Sequence, residues 1–344
     1  MFVLGGIGGL FVQQKVVPVL ATYEWARTLP LVRSAQERTT IIERTEKVQI
    51  TEDEAVRRIV AQVRSNIALV SVADGSATRS GTGVFVTGDG VIAVGGSVTA
   101  GAAEGTITVF LPTGELLPAT HVGTDRVTGV AFVRVKSARE NYPVMSFART
   151  QDLYAGQRLM EVGVDAGVAE NIFVMTTQMQ ALATRVDTGT SDAWATTIEA
   201  QTTERQRSTV LVTNRGELAA LGNATRLLPA DAVHVALTRL LAGRSDTVVD
   251  LGITYRSVTP MTLTDDTYGY GVVVTHVTRG GRGDKSGLRV GDHITALDGQ
   301  KLSAFRTLPM VLGVWREERA LEMTVVRDGT MVTLTLPATP TGDI

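Results

Sequence analysis

Cysteine is absent from the 344 residues. That excludes disulfides and thiolate metal sites, and it leaves the redox compartment undetermined. Histidine is scarce: His121, His234, His276 and His293 are scattered without ligand spacing, so no metal centre is expected and no cofactor is implied. An excess of charge is also missing. The net charge is −2, which argues against a general nucleic-acid binder. Long helical runs are few, while 35 glycines punctuate the chain, a combination that points to β-rich structure with many turns. Hydrophobic residues make up 44%, enough for real cores, and the length suits two domains.

Residues 1–22 are apolar except for Gln13, Gln14 and Lys15. The first twelve would span roughly 18 Å as a helix, short of a bilayer core of about 30 Å. Read through to Thr22 the segment is long enough, with Lys15 an expensive intruder. It has no basic n-region and no small-x-small cleavage site before Glu24, so it reads as a single-pass transmembrane anchor. An uncleaved signal-like segment or an apolar helix packed on the protein are the alternatives. Residues 23–50 mix β-branched and charged residues, as an extended arm would. Thr51 and Glu54 stand at capping-box spacing and open a helix, with Ala55, Ile59, Val60 and Val63 on its apolar face.

From 67 to about 228 come short β-branched runs at 67–72, 84–86, 91–94, 107–111, 130–135, 159–164, 172–176, 210–212 and 218–221. Turn residues separate them evenly, which predicts an all-β barrel or sandwich. Gly88-Asp89-Gly90 marks a hairpin between the second and third runs. A helix follows over 231–241, with Val233, Ala236, Leu237, Leu240 and Leu241 on one face and Gly243 as its C-cap.

Four stretches carry the functional reading: Gly81 to Gly101, Asp125 to Val133, Leu211 to Leu218, and the segment from about 248 to 337. In order and spacing they resemble the HtrA (DegP-like) family, trypsin-fold serine proteases with an appended PDZ domain. The resemblance implies a mainly β protein: a trypsin-like double β-barrel, then a PDZ domain, behind an N-terminal transmembrane segment. It divides the chain into an anchor (1–22), a linker or extended arm (23–50), a trypsin-like domain (51–245), a PDZ domain (246–340) and a tail (341–344). It also places the catalytic triad. The general-base position holds Ser97, the orienting aspartate position holds Gly129, and counting back from Leu211-Val212-Thr213-Asn214-Arg215-Gly216-Glu217-Leu218 puts Arg207 at the nucleophile and Arg205 at the oxyanion-hole glycine. A register shift of one puts Ser208 at the nucleophile instead. A hydroxyl at Ser97 is no base at neutral pH, and Thr209 and Val210 stand where glycine and proline are expected. The sequence therefore predicts a pseudoprotease, not an enzyme, with no catalytic residues. An active HtrA-type serine endopeptidase is the alternative, and a structural subunit of mixed oligomers a third reading.

The PDZ resemblance rests on Asp250-Leu251-Gly252-Ile253, on Ser286-Gly287-Leu288-Arg289-Val290-Gly291-Asp292-His293-Ile294, and on Asp-Gly turns at 298–299 and 328–329. It implies a carboxylate-binding loop at Leu251, Gly252, Ile253 and Thr254, beside a sheet edge open to an added strand. Leu251, Ile253, Val311 and Leu312 would make the side-chain pocket apolar, with 308–315 as its helix; the same residues would equally serve as core. The expected partners are peptides or unfolded proteins with hydrophobic C-termini, the membrane through the N-terminal helix, and a homotrimer or mixed oligomer, with no nucleic acid. The expected location is the extracytoplasmic side of a bacterial membrane, in the periplasm or at the cell surface.

Overall fold

The computed structural model describes residues 52–338, apart from 76, 102–105, 138–140, 185–188, 192, 195, 204, 224 and 259–268. The expected anchor and arm lie outside the described residues. Among those described, no helix is long and apolar enough to cross a membrane.

The chain enters on helix α1 (Glu52–Val63). Six strands follow: β1 (Ile67–Asp74), β2 (Ala77–Phe85), β3 (Val91–Gly95), β4 (Thr106–Phe110), β5 (Leu116–Thr124) and β6 (Val130–Val135), with the short helix α2 (Gly96–Thr99) directly after β3. They close into a barrel in the order β1-β2-β3-β6-β5-β4. The second barrel uses β7 (Arg158–Val164), β8 (Ile172–Thr184), β10 (Thr196–Ala200), β11 (Thr209–Val212), β12 (Leu218–Asn223) and β13 (Arg226–Pro229), and closes in the order β10-β13-β12-β11-β7-β8. The two-residue strand β9 (Gly189–Thr190) leaves this barrel and joins the sheet of the last domain.

The expected hairpin forms, with Val84 opposite Ala93 and Phe85 opposite Ile92. The strands β3, β6 and β11 read as apolar runs because both of their faces are largely buried. On β3, Ile92 and Val94 fill the first barrel, while Val91 and Ala93 pack at the junction with the second. On β6, Ala131 and Val133 point inward, and Val130 and Phe132 meet the junction. Leu211 fills the second barrel, flanked by Val210 and Val212 at the junction.

Helix α3 (Ala230–Leu241) closes the barrels, burying Val233, Ala236 and Leu237. Gly243 (φ +67°) caps it by donating to the Leu240 carbonyl at 2.9 Å. Leu241 departs from the expected apolar face and is exposed. The last domain holds β14 (Ile253–Val258), β15 (Gly271–Val277), α4 (Arg282–Lys285), β16 (His293–Leu297), β17 (Gln300–Lys301), α5 (Leu308–Val314), β18 (Leu321–Arg327) and β19 (Thr330–Leu336). Its sheet runs β19-β18-β16-β15-β14-β9, with β17 beside β16.

Arg239, on α3, is 1% exposed and holds the parts together. Its Nε donates to Asp125 Oδ1 at 2.5 Å. Its Nη2 donates to the carbonyls of Arg244 (3.0 Å) and Thr247, and its Nη1 to that of Gly313 (3.4 Å) on α5. Asp125 is fully buried, and its Oδ2 accepts from Thr128 N–H at 2.9 Å and Thr128 Oγ1 at 2.8 Å. Gly313 lets the two helices approach: a Cβ there would lie 2.8 Å from Val235 Cγ1.

Removing one member of a buried ion pair strands the other's charge. Arg239→Ala is therefore expected to lower the unfolding free energy by about 3–5 kcal/mol, and an unchanged urea midpoint would show that the guanidinium is dispensable. A second expectation concerns acid. Burial lowers the pKa of His293 below its ordinary 6.5, and burial does the same to His121 against the opposing charge of Asp246. The unfolded chain then binds protons more readily than the folded one, so stability is complete above about pH 6.5 and declines as pH falls through the folded values. Urea midpoints measured from about pH 7 to about pH 5 should decline, and less steeply in His293→Gln; an identical slope in the variant would remove His293 from the account.

Candidate functional site

The positions that the resemblance assigns to the triad, 97, 129 and 207, meet where the two barrels touch. Ser97 lies on α2, and its hydroxyl donates to the Arg207 carbonyl at 2.9 Å. Gly129 precedes β6 in a left-handed turn (φ +77°), and its carbonyl accepts from Gly96 N–H at 3.0 Å. A Cβ on Gly96 would lie 2.4 Å from that carbonyl oxygen, so only glycine permits this approach. The Arg207 N–H donates to the Ser80 carbonyl at 3.0 Å.

Ser208 ends the 206–208 turn that leads into β11 and is completely buried. Its hydroxyl donates to the Thr82 carbonyl at 3.0 Å and accepts from Gly95 N–H at 2.9 Å. Gly81 packs directly on it; a Cβ there would stand 2.6 Å from Ser208 Cβ. The four histidines lie elsewhere. His121 on β5 pairs with Thr124 Oγ1 at 3.0 Å, His234 on α3 meets the Phe147 ring edge-on at 5.8 Å, and His276 and His293 belong to β15 and β16. Arg205 is half-exposed, 3.9 Å from Asp165, with its guanidinium over the Phe173 ring.

Residues outside the motifs hold this loop. Buried Glu161, on β7, accepts from Thr203 N–H, Thr203 Oγ1 and Thr209 Oγ1, each at 2.7 Å. Gln206 Oε1 accepts from Thr82 Oγ1 at 2.6 Å, while its Nε2 donates to the Val164 carbonyl at 2.6 Å. The signal for Glu161 was in the sequence, since a carboxylate interrupts the apolar run of β7.

In the last domain the loop before β14 forms as the glycine requires. Gly252 takes φ +68°, and Leu251 and Ile253 are buried on either side of it. The loop amides already have acceptors. Leu251 N–H donates to Ser191 Oγ at 2.9 Å and Gly252 N–H to Asp250 Oδ1 at 2.7 Å, while Ser191 Oγ donates to the same Asp250 oxygen at 2.9 Å. The expectation of an open edge is corrected here. β14 pairs with β15 on one side and with β9 on the other, Thr254 opposite Thr190 and Tyr255 opposite Gly189. The short segment reaches this edge because Gly189 carries no side chain to strike the Tyr255 ring.

Leu312 is buried in the domain core with Leu251 and Ile253. Val311 lines a cavity of about 420 Å³ between α3 and α5, with His234, Met310 and Trp315. Val311 also packs, partly buried, against the core that holds Leu251, Ile253 and Leu312.

The comparisons with known proteins agree with this layout. The trypsin-like peptidase domain family matches residues 81–221, and the PDZ domain family matches 249–337. A protein of Chlamydia pneumoniae named probable periplasmic serine endoprotease DegP-like is 24% identical over 73% of this chain and 53% of its own length. A probable periplasmic serine protease do/HhoA-like of Haemophilus influenzae is 24% identical over 72% of this chain and 56% of its own. The chain thus spans about half the length of the curated relatives it matches. Among solved structures, the HtrA-type protease AlgW with tripeptide superposes with a TM-score of 0.61 at 22% identity, covering 82% of this chain and 95% of that one. These relatives overturn one expectation: the prediction that the chain is not an enzyme is corrected, because the proteins it resembles are named as serine proteases and endoproteases. The chain thus joins a region matched by the trypsin-like peptidase domain family to one matched by the PDZ domain family, and its fold is similar to that of an HtrA-type protease.

Proposed function

We propose that this chain serves extracytoplasmic proteolysis of the HtrA type, with its PDZ domain recognising the C-termini of polypeptides that the barrel domain processes. The observation that carries recognition is the loop at the head of β14. Gly252 turns the backbone so that two successive amides, of Leu251 and Gly252, are directed at oxygen atoms. Such a pair suits a terminal carboxylate. Thr254 and its neighbours on β14 would then pair with the peptide backbone. The periplasmic names of the relatives support the location, and their protease names support hydrolysis.

Serine chemistry would run through Ser208, whose hydroxyl stands at the barrel junction. Attack on a peptide needs a proton acceptor and access to substrate. The present partners of Ser208 Oγ are a carbonyl and an amide, and the residue is wholly covered. Opening of the contact between Gly81, Gly95 and the 206–208 turn is thus a requirement of that reaction, and, with Ser97 a hydroxyl and the four histidines elsewhere, the Ser208 proton would pass to solvent admitted by that opening. The test is incubation with an unfolded casein-like substrate and a fluorophosphonate probe. Turnover and labelling that vanish in Ser208→Ala are the expected result, and turnover that persists in that variant would sink serine chemistry at this position.

Recognition is tested separately. Peptides ending in an apolar residue with a free carboxylate should bind at least about tenfold, or about 1.4 kcal/mol, more tightly than their amidated forms. Equal affinity for both forms would remove the carboxylate loop from the reading.

A further inference from the structure

The cavity between α3 and α5 lies apart from the groove and loop of β14, none of whose residues line it. Its volume of about 420 Å³ falls within the range of small-ligand sites, about 300–1,000 Å³. Its floor is aliphatic. Val235, Leu297 and Leu321 are buried there, and Val311 is partly so. Val314, on the same helix as Val311, lines the cavity yet is 45% exposed, an aliphatic side chain left in water. The rim is cationic. Arg306 stands before α5 and Arg316 and Arg319 after it, all three exposed. A turn closed by Arg319 N–H on the Arg316 carbonyl, at 3.1 Å, brings the last two together. None of these guanidiniums has a partner among the described residues. The one acid in the lining, Asp298, has its Oδ1 committed to Glu322 N–H at 2.9 Å, and neighbouring Glu317 pairs with Arg282 at 2.9 Å. Glu318 does not line the cavity. A third feature is a donor without an acceptor. Trp315 also lines the cavity, is 7% exposed, and its buried indole N–H finds no partner among the described residues. The Arg282 guanidinium lies over its ring at 5.3 Å and keeps it in place.

We propose that this cavity binds a free fatty acid, an aliphatic chain that carries one carboxylate. The chain covers Val311 and Val314, and the carboxylate pairs with Arg316 and Arg319 at the rim. Both halves of the ligand are needed. A small anion leaves the aliphatic floor in water, and an uncharged chain leaves the guanidiniums without a partner. Buried donors in native proteins are nearly always satisfied, and a carboxylate oxygen brings an acceptor to the cavity that Trp315 lines. Val235 belongs to α3 and Val311 to α5, so a bound chain touches both helices. The site depends neither on hydrolysis at Ser208 nor on recognition of peptide C-termini.

The probe is dodecanoate, added to the full chain in equilibrium dialysis below its micelle-forming concentration. A single equivalent should bind, and dodecanol and butanoate should each bind at least about tenfold more weakly. Two variants separate the halves of the site. Arg316→Ala combined with Arg319→Ala removes rim charge, and Val314→Trp fills the floor from an exposed position. Each should weaken dodecanoate binding at least about tenfold. Absence of binding, equal affinity for dodecanol, or unchanged affinity in either variant overturns the inference. A second measurement reads the place. The indole N–H resonance of Trp315, assigned by its loss in Trp315→Phe, should shift as dodecanoate saturates the protein; a resonance that stays put also overturns it. Sedimentation without ligand closes the test: the same mass is expected for the wild type and Val314→Trp, and a mass that falls in the variant would give the cavity to a second copy of the chain instead.

Discussion

A single guanidinium fixes how the pieces of this chain sit on one another. Arg239 comes from the helix that closes the barrels, yet its partners come from the first barrel, the connector and the PDZ helix. A buried charge is tolerated only when its donors are satisfied, and arginine's planar fork suits several acceptors at once. Asp125 supplies the neutralising charge, and Thr128 satisfies its second oxygen. That same turn delivers Gly129, whose N–H donates to the Asp125 carbonyl at 2.7 Å and whose own carbonyl anchors the start of α2. The turn that carries Gly129, and with it the start of α2, is thus tied to the buried Arg239–Asp125 ion pair.

The barrel junction is built by subtraction. Gly81, Gly95 and Gly96 each place bare backbone where a side chain would collide with Ser208 or Gly129. The result is a seam in which backbone amides and carbonyls of the first barrel meet the 206–208 turn of the second directly. Glu161 holds the residues flanking that turn through Thr203 and Thr209, and Gln206 within it bridges Thr82 of the first barrel and Val164 of the second. This seam is what leaves Ser208 wholly covered.

Much of this was legible in the sequence, for physical reasons. Strands buried on both faces leave continuous apolar runs, so β3, β6 and β11 declared themselves. The strand β5 did not, because it contains Pro118 and only alternate residues, Leu117 and Ala119, face the barrel. Motif order placed 97, 129 and 207–208 at one site, and the structure brings them together. It could not reveal that Ser208 is covered, since that follows from glycines on another barrel. The approach of β9 to β14 was illegible for the same reason. A two-residue strand has no period, and its meaning lies wholly in its partner some 60 residues on, at Thr254.

A strand at the border of a sheet presents a row of unpaired N–H and C=O groups, and proteins shield such rows because they template association between chains. On β14 the shield is β9. Any event that empties that edge, whether substitution, heat or the approach of a ligand that then leaves, exposes a row ready to pair with the same row on another molecule. Solubility is therefore decided at this edge: the more often β9 lifts, the more the domain risks pairing with another copy of itself.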